Sequence, residues 1–207
     1  LTDFINTGTY DISQREFVLT PSPSMDILVS SNLERQLFEL TDRDSAAISG
    51  WMTDLNSQRR FRVDERTFAR LREAYRADSI DTLAAIKEVF GHHGYLIDPH
   101  TAVAWKAAQN LRGANPVLIA STAHWAKFGD NVYRALNGIA AGEPLPDEVA
   151  ALTGCQLNRI IAERTGSAIP RGLADLDEMP VRFTEVIDGT TDAIEKAALD
   201  FSAARND

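Results

Sequence analysis

The sequence has a single cysteine, Cys155, in 207 residues. A disulfide within the chain is therefore impossible, and a reducing, cytoplasmic setting is expected. No apolar run approaches the roughly 20 residues of a membrane helix. The opening Leu1-Thr2-Asp3-Phe4 has neither a basic nor an apolar leader region, so no signal peptide is expected. It also lacks an initial Met, and a chain processed or cut from something longer is expected. Positive charge is in short supply: 21 Lys and Arg stand against 30 Asp and Glu, for a net charge of −9. Phosphate repulsion then argues against nucleic acid or an anionic membrane as a partner. It does not exclude a small anionic substrate, which a few local cations can hold. The four histidines, His92, His93, His100 and His124, show no metal-ligand spacing with the lone Cys. Met25, Met52 and Met179 are scattered and read as core filler. The glycine-rich phosphate loop with Lys, the dinucleotide fingerprint and the nucleophile elbow are all missing.

What is present is an ordinary globular composition. At 44% hydrophobic and 25% charged, the chain can bury a core and form one large domain, or one domain with a small insert. Residues 1–29 read as irregular or strand-like, broken by Gly8, Pro21 and Pro23. Ser31-Asn32-Leu33-Glu34 reads as a capping box opening a helix with Leu33, Leu37 and Leu40 on one side. A second helix is expected from Asp44 to about Arg60, with Ala47, Ile48, Trp51, Met52 and Leu55 inward. The Arg-rich run from Arg59 to Arg76, interleaved with Asp64, Glu65 and Glu73, reads as a mostly helical, solvated face. Asp81 to Phe90 is another helix, with Leu83, Ile86, Val89 and Phe90 on one face and Gly91 and Gly94 at its end.

The pattern then changes. Gly94 to Pro99 is a short apolar run, and Thr101 onward a helix with Val103, Ala104, Ala107, Ala108 and Leu111 as its stripe. Pro116 to Ala120 reads as a buried strand, His124 to Leu136 as a helix, and 146–152 as a helix opened by Pro146. Pro180 to Ile187 reads as a strand and 190–204 as the last helix. Short strands alternating with helices predict an α/β core for 94–207. Residues 31–93 read as a mainly helical subdomain.

Three local features could carry chemistry. In Ile119-Ala120-Ser121-Thr122-Ala123-His124 two hydroxyls stand where a strand gives way to a helix. Ligands bind beyond the carboxyl ends of strands in open α/β sheets, and helix N-termini offer unpaired N–H groups. On spacing alone the commoner reading is that Ser121 or Thr122 is a simple helix cap, since caps outnumber ligand contacts. His100, in Asp98-Pro99-His100-Thr101, sits at a second such junction and is either a cleft residue or a surface cap. The loop Thr20-Pro21-Ser22-Pro23-Ser24-Met25-Asp26 is stiffened by two prolines and lined by hydroxyls and a carboxylate. It is either an anion-binding loop or a rigid connector.

Taken together, three stretches resemble the bacterial and fungal form of threonine synthase. They are Ser22 to Ile27 with Ser30 to Arg35, Leu37 and Phe38; Gly94 to Ala104; and Ser121 to Phe128. Asp3-Phe4 and Thr7-Gly8-Thr9-Tyr10 also fit. The resemblance covers nearly the whole chain in order. It implies an α/β fold, the C-terminal part of a tryptophan-synthase-β-like (fold type II) pyridoxal-phosphate (PLP) enzyme with a mainly helical insert. It further implies a lyase that turns O-phospho-L-homoserine and water into L-threonine and phosphate. The family's Schiff-base lysine, in a Ser-Phe-Lys-Asp type motif, and its glycine-rich cofactor loop are expected upstream of Leu1. Lys87, Lys106, Lys127 and Lys196 do not stand in that context. The fragment is therefore expected to be inactive without that N-terminal half.

By the same resemblance Thr122 matches the hydroxyl that bonds the PLP pyridine nitrogen. Ser24, Asp26, Asn32, Arg35, His100 and Lys127 match positions near the substrate, Arg35 being suited to an oxyanion by its bidentate donors. Trp125 stands where the family usually has Pro, so the start of that helix is expected to be repacked. A non-catalytic binding or regulatory module of the same family, with 31–90 as its surface, is the alternative.

Overall fold

A computed structural model of the chain describes residues 1–71, 79–110, 113 and 115–203. They divide into two compact units, Leu1–Ala174 and Asp175–Asp207.

The first unit opens with a helix and one short strand, where 1–29 reads as irregular or strand-like, and most of 12–29 has no regular structure. Helix α1 (Thr2–Thr7) ends at Gly8, whose φ of 74° is the left-handed closure that glycine adopts without cost. Strand β1 (Thr9–Asp11) follows and pairs antiparallel with β2 (Arg60–Arg62), Tyr10 opposite Phe61. Helices α2 (Leu33–Leu40) and α3 (Ser45–Gln58) lie between them, and α4 (Glu65–Phe68) comes after. The core here is Phe4, Tyr10, Leu33, Leu37, Leu55 and Phe61 among others, with Tyr10 and Phe61 stacked at 5.5 Å. The predicted faces of α2 and α3 supply the buried Leu33, Leu37, Ile48 and Leu55.

Two local expectations are corrected. The capping box at Ser31 does not form: Asn32 stands at the cap of α2 with no side-chain bond to the backbone. The arginine run is not one helix. Arg60 and Arg62 lie on β2 and Arg66 on α4. Arg66 and Arg70 then reach across 2.6 and 2.9 Å to Asp42, which sits at a φ of 56°. Those guanidiniums, Arg70 foremost, hold the exposed Asp42 carboxyl below its usual range. Arg72, Glu73 and Arg76 lie outside the described residues.

A second and a third apolar cluster are built by α5 (Ser79–His93), α6 (Pro99–Asn110), α7 (Gly129–Asn137), α8 (Asp147–Ala150), α9 (Gly154–Thr165) and α10 (Arg171–Ala174). Helix α5 packs on both α6 and α7, through Leu83, Ile86, Val89 and Ala135 with Ala102 and Ile97. Gly91 lies inside α5, and the left-handed Gly94 closes it. The third cluster joins Leu96, Trp125, Val132, Leu157 and Ile161. Helix α9 was not foreseen, although it carries a full capping box, Thr153 with Gln156, and closes at Gly166.

Pro116–Ala120 is not a strand. It has no ladder partner among the described residues and no regular structure, and Leu118 is 98% exposed. A strand exists only through its neighbours' hydrogen bonds, so an apolar β-like sequence without them forms no strand. The helix expected at His124 opens instead as a 3-10 turn, Trp125–Lys127, and α7 starts only at Gly129. In the second unit the expected strand at Pro180–Ile187 is exposed and irregular. Helix α11 (Thr191–Ala203) follows it as foreseen, residue 204 lying outside the described range. No helix among the described residues is long and apolar enough to cross a membrane.

Stability should follow these packing differences in chemical denaturation. Ile161→Ala, at a site 1% exposed, is expected to cost about 2–5 kcal/mol, and Thr153→Ala about 1 kcal/mol through the lost cap. Leu118→Ala should stay within about 0.5 kcal/mol. A large loss from Leu118→Ala would show that the 116–120 segment is packed after all.

Candidate functional site

The site is organised by a buried carboxylate. Asp98, 1% exposed, precedes α6 and accepts from the backbone N–H of His100 at 2.9 Å and of Thr101 at 3.3 Å. Its second oxygen accepts from the Thr101 hydroxyl. Three donors offset the desolvation of the carboxylate. Asp at the cap with Pro99 at the first helical position is also the local reason α6 starts there.

His100 follows and is 5% exposed. Its Nδ1 is hydrogen-bonded to the hydroxyl of Ser22, 78 residues earlier. Its ring stands edge-on to Phe128, with centroids 4.8 Å apart. Its Nε2 is buried with no partner among the described residues. From the other side of the same residue pair, Thr101 Oγ1 lies 3.1 Å from Ser121 Oγ, and Asn131 on α7 donates to the carbonyl of Pro21 at 3.1 Å. The three sequence features, 20–26, 98–101 and 121–128, thus meet at one place.

Neither Ser121 nor Thr122 caps a helix. His124 does so: its Nδ1 accepts from the Ala126 N–H at 3.2 Å. Thr122 is exposed, and no hydrogen bond involves its side chain among the described residues. The 3-10 turn behind it is held from α9, where Asn158 donates to Ala126 O at 2.7 Å. A Cβ on Gly129 would meet Asn158 Oδ1, which explains a glycine there. Trp125 is buried in the third cluster, so this indole fills core volume at the turn.

The other candidates are placed as follows. Asp26 turns back on its own loop, accepting from the Thr20 N–H and hydroxyl, both at 2.7 Å. Ser24, Asn32, Arg35 and Lys127 are exposed, and neither Asn32 nor Arg35 makes an ion pair or side-chain bond to the His100 cluster. A cleft of about 500 Å³ opens beside the 20–26 loop, lined by Tyr10, Arg15, Thr20, Met25 and Asp26 among others, and touches neither His100 nor Thr122. Ser22, Asp98, Thr101 and Phe128 lie within the candidate motifs, but the sequence assigns them no individual role. The Asp-Pro start of α6 was the available signal for Asp98. No group of three or more His, Cys, Asp or Glu suited to a metal ion occurs among the described residues.

Comparison with known proteins gives this arrangement a class. The structure matches PLP-bound threonine synthase from Brucella melitensis with a TM-score of 0.66 and 33% identity, covering 89% of this chain and 34% of that one. Yeast threonine synthase matches with a TM-score of 0.70 and 25% identity over 99% of this chain and 40% of the other. The fold is that of the C-terminal part of a fold type II PLP enzyme. The family described as threonine synthase, C-terminal, matches residues 101–197. Human threonine synthase-like 1 is 41% identical over 140 residues, 66% of this chain and 19% of that protein. Pseudomonas aeruginosa threonine synthase is 35% identical over 136 residues, 63% of this chain and 29% of that one. The chain belongs to the threonine synthase family and corresponds to its C-terminal part. It spans well under half the length of these relatives.

Two measurements test the local chemistry. Ser22→Ala leaves His100 Nδ1 unpaired in a buried site and is expected to cost about 1–3 kcal/mol in chemical denaturation. A neutral result would show that the pair contributes nothing. His124 titrates below the ordinary imidazole range, chiefly because burial disfavours its charged form, with Lys127 adding to the shift and Asp98 opposing it. The native state then binds its proton later than the unfolded chain. Stability contributed by neutral His124 is complete above pH about 6.5. It falls as pH drops through the window down to the native-state value, and levels off below it. Protonation also removes the acceptor for the Ala126 N–H. His124→Gln should flatten this part of the stability profile, and an unchanged profile would assign the effect elsewhere.

Proposed function

We propose that this chain is the C-terminal portion of a PLP-dependent carbon–oxygen lyase, a cytoplasmic threonine synthase that converts O-phospho-L-homoserine and water to L-threonine and phosphate. The observation that carries the reading is the convergence of the three family stretches on one site, with an exposed Thr122 at its edge. The residues present suit PLP. Thr122 has no protein partner to compete for its proton among the described residues, and a neutral hydroxyl matches an unprotonated ring nitrogen. Thr122 would hold that nitrogen, and the bound ring would supply an electron sink for carbanion chemistry.

The chain's own residues do the rest. Arg35 and Lys127 keep exposed cationic heads available for a substrate phosphate or carboxylate. Asn32 and Ser24 offer neutral hydrogen-bonding groups on the same motif stretch. Asp26 ties its oxygens to Thr20 and so shapes the 20–26 loop. His100, fixed at Nδ1 by Ser22, keeps Nε2 as the group left to pair with substrate. The family's cofactor-binding lysine belongs to the other half of the family chain, so the segment alone is proposed to be inactive. A second reading, a non-catalytic module of the same family, has one observation in its favour. Relatives named threonine synthase-like 1 match at 40–43% identity, above the 35–36% of two relatives named threonine synthase.

Phosphate release from O-phospho-L-homoserine by the PLP-loaded full-length protein decides between the two: no turnover would sink the enzyme reading. Within the active protein, Thr122→Ala should remove about 0.5–1.5 kcal/mol of cofactor binding and slow turnover, because ring electron density changes along the reaction. Thr122→Ser should be mild and Thr122→Asp worse, since a carboxylate favours a protonated ring. Thermal stability should stay level across the series, because Thr122 caps no helix. Full turnover in Thr122→Asp would remove Thr122 from the cofactor.

A further inference from the structure

The hydroxyls around Asp98 can be assigned directions by counting protons. Thr101 Oγ1 has one hydrogen, and the Asp98 carboxylate, an acceptor only, takes it. Thr101 Oγ1 can therefore only accept from its other neighbour, Ser121 Oγ at 3.1 Å. Ser121 also has one hydrogen, and its alternative acceptor, the Ala123 carbonyl at 3.3 Å, lies within the same short segment. In both cases the Ser121 proton is committed inside the protein, and only its lone pairs face outward. Thr122, one residue on, has no such commitment among the described residues. Two adjacent hydroxyls thus differ in kind: Ser121 is an acceptor toward solvent, and Thr122 retains a donor.

We propose that Asp98 and Thr101 are positioning residues for Thr122. Their directed chain, Ser121 to Thr101 to Asp98, anchors the 121–122 segment on α6 and leaves Thr122 as the hydroxyl able to donate to the PLP ring nitrogen. This rests on the role given to Thr122 above. The anchor is stiff because Asp98 is itself fixed by two backbone N–H groups at the start of α6. The 116–120 segment leading to Ser121 has no ladder to hold it among the described residues. Without the Thr101 link, the position of Thr122 would depend on local bonds, Ser121 to the Ala123 carbonyl and the turn at Trp125–Lys127. Ser121 has a further consequence: turned outward as an acceptor, it would repel the lone pair of an unprotonated ring nitrogen and so prevent the cofactor from binding one residue out of register.

The test is a double-mutant cycle in the full-length protein, read by the PLP dissociation constant in a fluorescence titration of the apo form and by the absorbance maximum of the bound cofactor. Thr101→Val keeps the shape and removes the hydroxyl. It should weaken PLP binding by about three- to tenfold and shift the absorbance. Thr101→Ser should restore both, which a purely structural contribution of the Thr101 methyl would not. In a Thr122→Ala background Thr101→Val should add nothing, because its effect passes through Thr122. If Thr122→Ala weakens binding while Thr101→Val changes neither readout, or weakens it by the same factor in both backgrounds, the positioning chain is wrong and the Thr122 assignment stands. If Thr122→Ala itself leaves both readouts unchanged, the Thr122 assignment fails and the chain with it. Should Thr101→Val impair folding, Ser121→Ala cuts the same chain at an exposed residue and must show the same coupling.

Discussion

The arrangement depends most on the burial of one carboxylate. Asp98 is almost completely removed from solvent, and an isolated charge in that position would be costly. It is tolerated because three donors converge on it: two backbone N–H groups of the first turn of α6 and the Thr101 hydroxyl. The same bonds that solvate the charge also start α6, turn His100 toward Ser22 and bring Thr101 to Ser121. A helix cap here is at once a local start signal and the joint between two distant segments.

Around that joint the chain is held by helices on one side and by very little on the other. Helix α9 fixes the turn at Trp125–Lys127 through Asn158, against a glycine that leaves it room. Helix α5 supports α6 and α7 through a contiguous apolar cluster. Val117 and Leu118 instead face solvent, as do Phe17, Val18 and Leu19. Exposed apolar runs outside regular structure lack both ladder partners and apolar cover. The part matched here makes up 19% of human threonine synthase-like 1 and 34% and 40% of the two structural neighbours.

The helical half of the fold was legible because its signals are local. Asp44 at a cap, the 48, 51, 52, 55 spacing and the 83, 86, 89 spacing each describe a helix that satisfies its own backbone. Helix α9 is legible by the same rule, in the Thr153 and Gln156 capping box. Strands were not. Pro116–Ala120 has a strand's composition, while the pairing that forms is Tyr10 with Phe61 across 51 residues, in segments of only three residues each. Cross-strand choice is a long-range matter that β-propensity cannot rank.

For the site, the sequence alone determined the family resemblance, the candidate motifs and the order in which they come. It could not say that Ser22 touches His100, that Thr101 touches Ser121, or that His124 rather than Ser121 or Thr122 caps the following turn. Those facts join residues 20 to 78 positions apart or choose between adjacent polar side chains of similar capping ability. Only the packed chain decides them, because a hydrogen bond depends on where two atoms come to rest within about 3 Å, and spacing along a sequence carries no such distance.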